Sequence, residues 1–179
     1  MKDIIYITGN QHKADYLAKY LGYPVAHKKV DLDEIQSMDL KEIIRHKVKQ
    51  AYGIVGSPVV VEDTSLEFKA LGGLPGPFIK FFITQMPLEV VCSLLDGKDR
   101  SATAKCMIGY FDGKNEVYFE GGMDGKIPEK PAGDGGYGFD KIFIPEGYNM
   151  TRAEQNEEDH KIVYLKIKPI MQLKEFLEK

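Results

Sequence analysis

At 179 residues, with 43% hydrophobic and 28% charged side chains, the chain has enough apolar material for one domain over residues 1–179, as a single core or as two lobes sharing one sheet. A formal net charge of −3 excludes a nucleic-acid coat, which needs a basic surface, while leaving room for a local basic pocket around one small anion. Two cysteines, Cys92 and Cys106, exclude a disulfide framework, and no apolar run is long enough for a membrane span or a leader, so a reducing cytoplasm is expected, with no membrane or nucleic-acid partner.

Ile4–Ile7 reads as a buried strand that ends at Thr8-Gly9-Asn10. From Asn10 the apolar residues Ala14, Leu17, Ala18 and Leu21 recur at three- and four-residue spacing, and Gly22 supplies the stop, which predicts a helix. Pro24–Val30 is expected to be a second strand, and Asp31–Asp39 an acidic connection whose last residue caps a helix running to Tyr52. Gly56-Ser57-Pro58 introduces Val59-Val60-Val61, expected to be a fully buried strand closed by Glu62-Asp63. Leu71–Pro77 is too rich in glycine and proline for regular structure. Phe78–Met86 and Pro87–Leu95 are predicted short helices, the second with Pro87 at its first position. Ser101–Phe111 and Glu116–Gly121 flank Asp112-Gly113-Lys114-Asn115, a hairpin signal. A second glycine-rich loop, Gly133–Gly138, leads into Ile142-Phe143-Ile144, and a last helix is expected from Pro169 to Leu177. Strand and helix alternate first and a hairpin follows, which predicts an α/β fold with a mixed sheet.

Three places carry residue types suited to chemistry. A strand as apolar as Val59–Val61 rarely ends in two carboxylates unless they face a pocket, because buried unpaired charge is costly. Glu62 and Asp63 are therefore candidates to hold a divalent metal beside a phosphate. The Thr8–Lys13 turn offers the phosphate partner. Gly9 permits close backbone approach, the helix start exposes N–H groups, and Lys13 reaches back over the same end. An ordinary strand–turn–helix with an Asn10 cap accounts for these residues equally well. In Tyr137-Gly138-Phe139-Asp140, two rings on a flexible loop can sandwich a planar base while Asp140 accepts hydrogen bonds at the rim; the alternative is a turn with its aromatics folded into the core.

Taken together, the segments resemble the inosine triphosphate pyrophosphatase family, which hydrolyses ITP, dITP and XTP. Thr8-Gly9-Asn10-Gln11-His12-Lys13 looks like the family's T-G-N-x-x-K phosphate loop. Asp31–Glu34, the helix bearing Lys47, the run from Val60 to Phe82 and the loop Gly136–Asp140 follow in the family's order. The resemblance implies an elongated α/β fold with a mixed central sheet flanked by helices, two lobes around a cleft, and a homodimer. It also implies Mg2+-dependent cleavage between the α- and β-phosphates of a nucleoside triphosphate. Carried over position by position, Thr8, Gly9, Asn10, Gln11, His12, Lys13, Lys47 and Lys80 would hold the triphosphate. Glu34 and Asp63 would hold Mg2+ with Glu62 beside them, and Asp63 would also activate water. Thr64, Tyr137, Gly138, Phe139 and Asp140 would contact the nucleoside.

The chain departs from that pattern near its C-terminus. Asp159-His160-Lys161 falls where the family has Glu-Lys, and Tyr164-Leu165-Lys166 falls where it has the Ser-His-Arg tripeptide that reads the base. Leu165 has no hydrogen-bond donor in its side chain, and Lys166 lacks the fixed fork of arginine. His160, Lys161 and Lys166 are the candidates for a substitute donor. Two other readings follow: a related pyrophosphatase for another modified nucleotide, and a nucleotide-binding or sensing protein without turnover.

Overall fold

The computed structural model of the chain describes residues 3–179. Along the chain they form β1 (Ile5–Ile7), α1 (Gln11–Leu21), β2 (Ala26–Lys28), α2 (Leu40–Val55), β3 (Val59–Phe68), β4 (Pro75–Gly76), α3 (Ile79–Gln85), α4 (Leu88–Ser93), β5 (Ser101–Phe111), β6 (Glu116–Lys126), β7 (Ile144–Pro145), α5 (Glu157–Ile167) and α6 (Ile170–Glu178). The seven strands make one sheet in the order β2-β1-β3-β5-β6-β7, with β4 paired to β3. β1 runs parallel to β2 and β3, whereas β4 on β3 and β7 on β6 are antiparallel. The mixed α/β fold expected from the sequence is present.

The described residues fall into two compact units, to each of which β3, β5 and β6 contribute part of their length. One unit comprises the chain up to Asp63, Cys106–Glu120 and Lys168–Lys179. Here α2 buries Leu40, Ile43, Ile44, Val48 and Ala51, a three- and four-residue repeat that lines one helical face. That face packs with Ile7, Val59, Val61 and Met107. Each fully buried Ile or Val stabilises by roughly 1.5–3 kcal/mol, so this cluster fixes β1 and β3 under α2. Asp39 caps α2 by accepting from the Lys41 N–H, and Gly56 ends it in the left-handed conformation (φ 70°). α1 packs against α6, and the Phe176 ring meets Tyr110 edge-on at 4.9 Å.

The other unit comprises Thr64–Lys105 and Gly121–Ile167. Arg100 binds its segments together, donating to the carbonyls of Cys92, Ile127 and Pro128. The loop before β7 lies on the Thr151–Glu154 turn, where Gly135 N donates to Ala153 O and Thr151 Oγ1 to Ala132 O.

Several expectations need correction. β3 does not close at the acidic pair but continues to Phe68, ten residues in all, because Leu66 and Phe68 resume burial beyond the charged positions. The glycine–proline loop contains β4, whose two residues pair with Leu66 and Glu67. β2 keeps three residues of the seven expected, all exposed. α5 was not foreseen: its apolar residues are interrupted by charge, and it buries Val163, Tyr164 and Ile167. Cys92 and Cys106 are free and fully buried, as expected, and burial pushes their thiols up to about 11 and about 12. No helix among the described residues is long and apolar enough to cross a membrane.

A Cβ added at Gly109 would lie 2.4 Å from Cγ2 of the fully buried Ile44. Gly109→Ala is therefore expected to destabilise the chain by about 1–3 kcal/mol, read as a lower denaturation midpoint. An unchanged midpoint would show that α2 yields without loss.

Candidate active site

β1 leads into a short turn that α1 continues. Asn10 Oδ1 accepts from the Lys13 N–H (3.3 Å), the Asn10 N–H donates to Thr8 Oγ1 (3.1 Å), and the Thr8 N–H donates to Lys28 O (3.1 Å). The side chains of Thr8 and Asn10 thus shape the turn itself. Gln11 donates along the helix to Asp15, and His12 is exposed. The strand register (Ile5 opposite Val59, Tyr6 opposite Val60) brings this turn level with Glu62 and Asp63, just past the end of β1. Ligands of open α/β sheets bind outside such carboxyl ends of strands.

The two carboxylates part company there. Successive side chains of a strand point to opposite faces, so Asp63 follows Val59 and Val61 toward α2, while Glu62 follows Val60 to the other side. Asp63 Oδ2 accepts from Lys47 Nζ at 2.7 Å, and the same ammonium lies 3.4 Å from Glu34 Oε1. Burial lowers the Lys47 pKa, but Asp63 and then Glu34 outweigh it and leave it raised. Glu62 Oε1 takes two ammoniums, Lys13 at 2.9 Å and Lys168 at 2.5 Å. Burial pushes its carboxyl up, yet Lys13 and Lys168 prevail and hold it well below the usual carboxylate range.

Glu34 and Asp63 both pair with the Lys47 ammonium. Two such hard oxygen donors fit a Mg2+ ion, which typically takes one or two carboxylates and completes its shell with water and phosphate oxygens. Among the described residues, no three His, Cys, Asp or Glu side chains form a ready-made metal cage.

Of the remaining predicted residues, Thr64 is half-buried on β3 and Lys80 lies exposed on α3. The glycine-rich loop differs from expectation. Asp140 is not at a rim: it is buried, accepts from the Tyr137 N–H (3.0 Å) and pairs with Arg152 Nη1 at 2.6 Å. The Phe139 ring is buried edge-on to Phe143, while Tyr137 stays half-exposed, so the two rings do not form the expected sandwich. His160 stands 3.7 Å from Asp140 and stacks on Tyr164, which is buried; Gly138 and Lys166 are exposed.

Sequence reasoning missed Lys168 and Arg152. Lys168 was readable as a lone cation between the buried Ile167 and Ile170. Arg152 sits inside a Thr151–Glu154 capping box, a local signal that marks the turn without naming the partner of its arginine.

A sequence model of the Ham1 family matches residues 4–176. The chain is 43% identical over 173 residues to inosine triphosphate pyrophosphatase 2 of Trypanosoma cruzi (strain CL Brener), covering 94% of this chain and 88% of that protein. It is 36% identical over 183 residues to the inosine triphosphate pyrophosphatase of Schizosaccharomyces pombe, covering 99% and 96%. Among solved structures, the Staphylococcus aureus Ham1 protein superposes with a TM-score of 0.83 at 24% identity, covering 99% of this chain and 98% of that one. The structural likeness supports the fold, and the sequence relatives agree with the resemblance read from the motifs.

Glu62→Gln removes the buried carboxylate that Lys168 and Lys13 share and is expected to destabilise the chain by about 3–5 kcal/mol at neutral pH. Because the carboxyl is depressed by folding, its contribution is complete above its ordinary value of 4.5 and is lost as pH falls below it. Denaturation of both proteins from pH 7 to pH 3 should show the gap narrowing only in the acid range; a constant gap would contradict the assignment.

Proposed function

This chain belongs to the Ham1 family, and we propose that it is a nucleoside-triphosphate pyrophosphatase that hydrolyses ITP, dITP and XTP to the monophosphate and pyrophosphate with Mg2+ as cofactor. The observation that carries the reading is the pairing of Asp63 and Glu34 on the Lys47 ammonium, level with a helix N-terminus bearing Lys13. A triphosphate repels an attacking water and leaves as a highly charged pyrophosphate, so cations must gather on the leaving group. Lys13 and Lys47 are available in one unit. A polyphosphate offers Lys47 more negative charge than its present partners, and once Lys47 turns to it, Asp63 can act as a base. Asp63 then takes a proton from water as the water oxygen attacks the α-phosphorus and the bond from that phosphorus to the bridging oxygen breaks. General-base help of this kind is worth ~10²–10⁴-fold. Glu34 and Asp63 would hold Mg2+; Glu62, expected from the sequence to join them, faces the other side of β3 and is bound by Lys13 and Lys168 instead. The ion, when bound, adds positive charge to the phosphate oxygens.

Thr64, Lys80, Tyr137–Asp140, His160 and Lys166 enter as substrate contacts on the resemblance alone. The same holds for a homodimer. A reducing compartment such as the cytoplasm suits the two free thiols. The second enzymatic reading, a pyrophosphatase for a different modified base, is favoured by the buried Tyr164 and by Leu165 at the positions of the base-reading tripeptide.

A panel of ITP, dITP, XTP, GTP, ATP and pyrimidine triphosphates should release pyrophosphate and monophosphate, fastest with the first three, and EDTA should abolish release until Mg2+ is restored. Nucleoside diphosphate with orthophosphate would refute α–β cleavage, and a pyrimidine preference would favour the second reading. Asp63→Asn should lower kcat by ~10²–10⁴-fold with an unchanged circular dichroism spectrum.

A further inference from the structure

Lys168 stands where nothing in the proposed reaction calls for a residue. It follows α5, precedes Pro169, and reaches back to a strand position 106 residues earlier. Its side chain is 6% exposed, as is that of Glu62, whereas that of Lys13 is 25% exposed. Both lysines bond the same oxygen, Glu62 Oε1. The buried carboxylate therefore has one deeply held counter-ion and one near the surface, and the surface one belongs to the predicted phosphate loop.

We propose that Lys168 is a positioning residue for Lys13: by keeping Glu62 neutralised, it allows Lys13 to leave that carboxylate for an incoming polyphosphate. With Lys13 as the sole counter-ion, its departure would strand a buried, unpaired charge, which is strongly disfavoured. With Lys168 in place, departure leaves a complete ion pair behind. The anchoring of Lys168 suits a partner that stays: Ile167 and Ile170 on either side are each 1% exposed, and Lys168 O accepts from the Ile170 N–H at 2.8 Å. Lys13 stands in the first turn of α1, and its side chain is the more exposed of the two. This inference takes its ligand class from the proposed phosphate site.

The test measures binding of inorganic triphosphate to the full chain by calorimetry in EDTA, alongside kcat and KM for ITP with Mg2+. In Lys168→Met the Lys13–Glu62 pair becomes exclusive. If it is closed nine-tenths of the time, the apparent Kd rises about tenfold, KM rises in step, and kcat changes little. Adding Glu62→Gln to Lys168→Met releases Lys13 and should restore most of the affinity, whereas a purely structural role for Lys168 predicts further loss. Lys168→Arg keeps the charge and should bind like the wild-type chain, and Lys168→Gln replaces the Met variant should that one not fold. Unaltered binding in Lys168→Met, or no recovery in the double variant, would overturn the role of Lys168 while leaving the phosphate site intact. A wild-type chain that fails to bind inorganic triphosphate would overturn the phosphate site and this inference together.

Discussion

A strand turns consecutive side chains to opposite faces, and β3 obeys that rule where it carries Glu62 and Asp63 side by side. Two residues that read as one acidic pair therefore enter two environments. Asp63 joins a partly open cluster with Lys47 and Glu34, and Glu62 enters a closed one with Lys13 and Lys168. The division of labour between an accessible carboxylate and a buried one follows from strand geometry before any chemistry is considered. The apolar run preceding them makes this possible, since Val59 and Val61 fix the strand against α2.

Charge balance extends the same logic. The ammoniums of Lys13, Lys47 and Lys168 already stand against the carboxylates of Glu34, Glu62 and Asp63. A polyanion cannot simply be added to such a set; it has to exchange for existing partners. Lysine, a point charge on a flexible stem, is suited to partner exchange in a way that the planar fork of arginine is not. Two of the chain's arginines serve as ties instead: Arg100 donates to the carbonyls of Cys92 and Ile127, and Arg152 pairs with the buried carboxylate of Asp140.

How much of this was legible in the sequence depended on whether the signal was local. The caps of α1 and α2, the glycine that ends α1 and the Asp112–Asn115 hairpin follow from neighbouring residues and were readable, whereas α2 runs to Val55, three residues past the expected end at Tyr52, before Gly56 ends it. The acidic pair stood out for the same reason. What escaped was decided by distant contacts. β3 continues past its charges because Leu66 and Phe68 are buried by the fold. Asp140 turns inward because Arg152 waits for it. Lys168 acquires its meaning only when a residue 106 positions away is placed beside it. Family resemblance supplied an order of motifs, but it could not supply partners that lie outside those motifs.

The unit that carries the phosphate loop is assembled from three separated stretches, the last being Lys168–Lys179. Glu62 is thus made 106 residues before its anchoring lysine. Chains fold as they emerge, and contacts between distant positions close late and slowly. A nascent chain holding everything up to Ile167 already contains Thr8–Lys13, Glu34, Lys47, Glu62 and Asp63, yet lacks both Lys168 and α6, the helix packed against α1. The ionic site and the core beneath α1 are therefore completed together, so that a product truncated before Lys168 forfeits both at once.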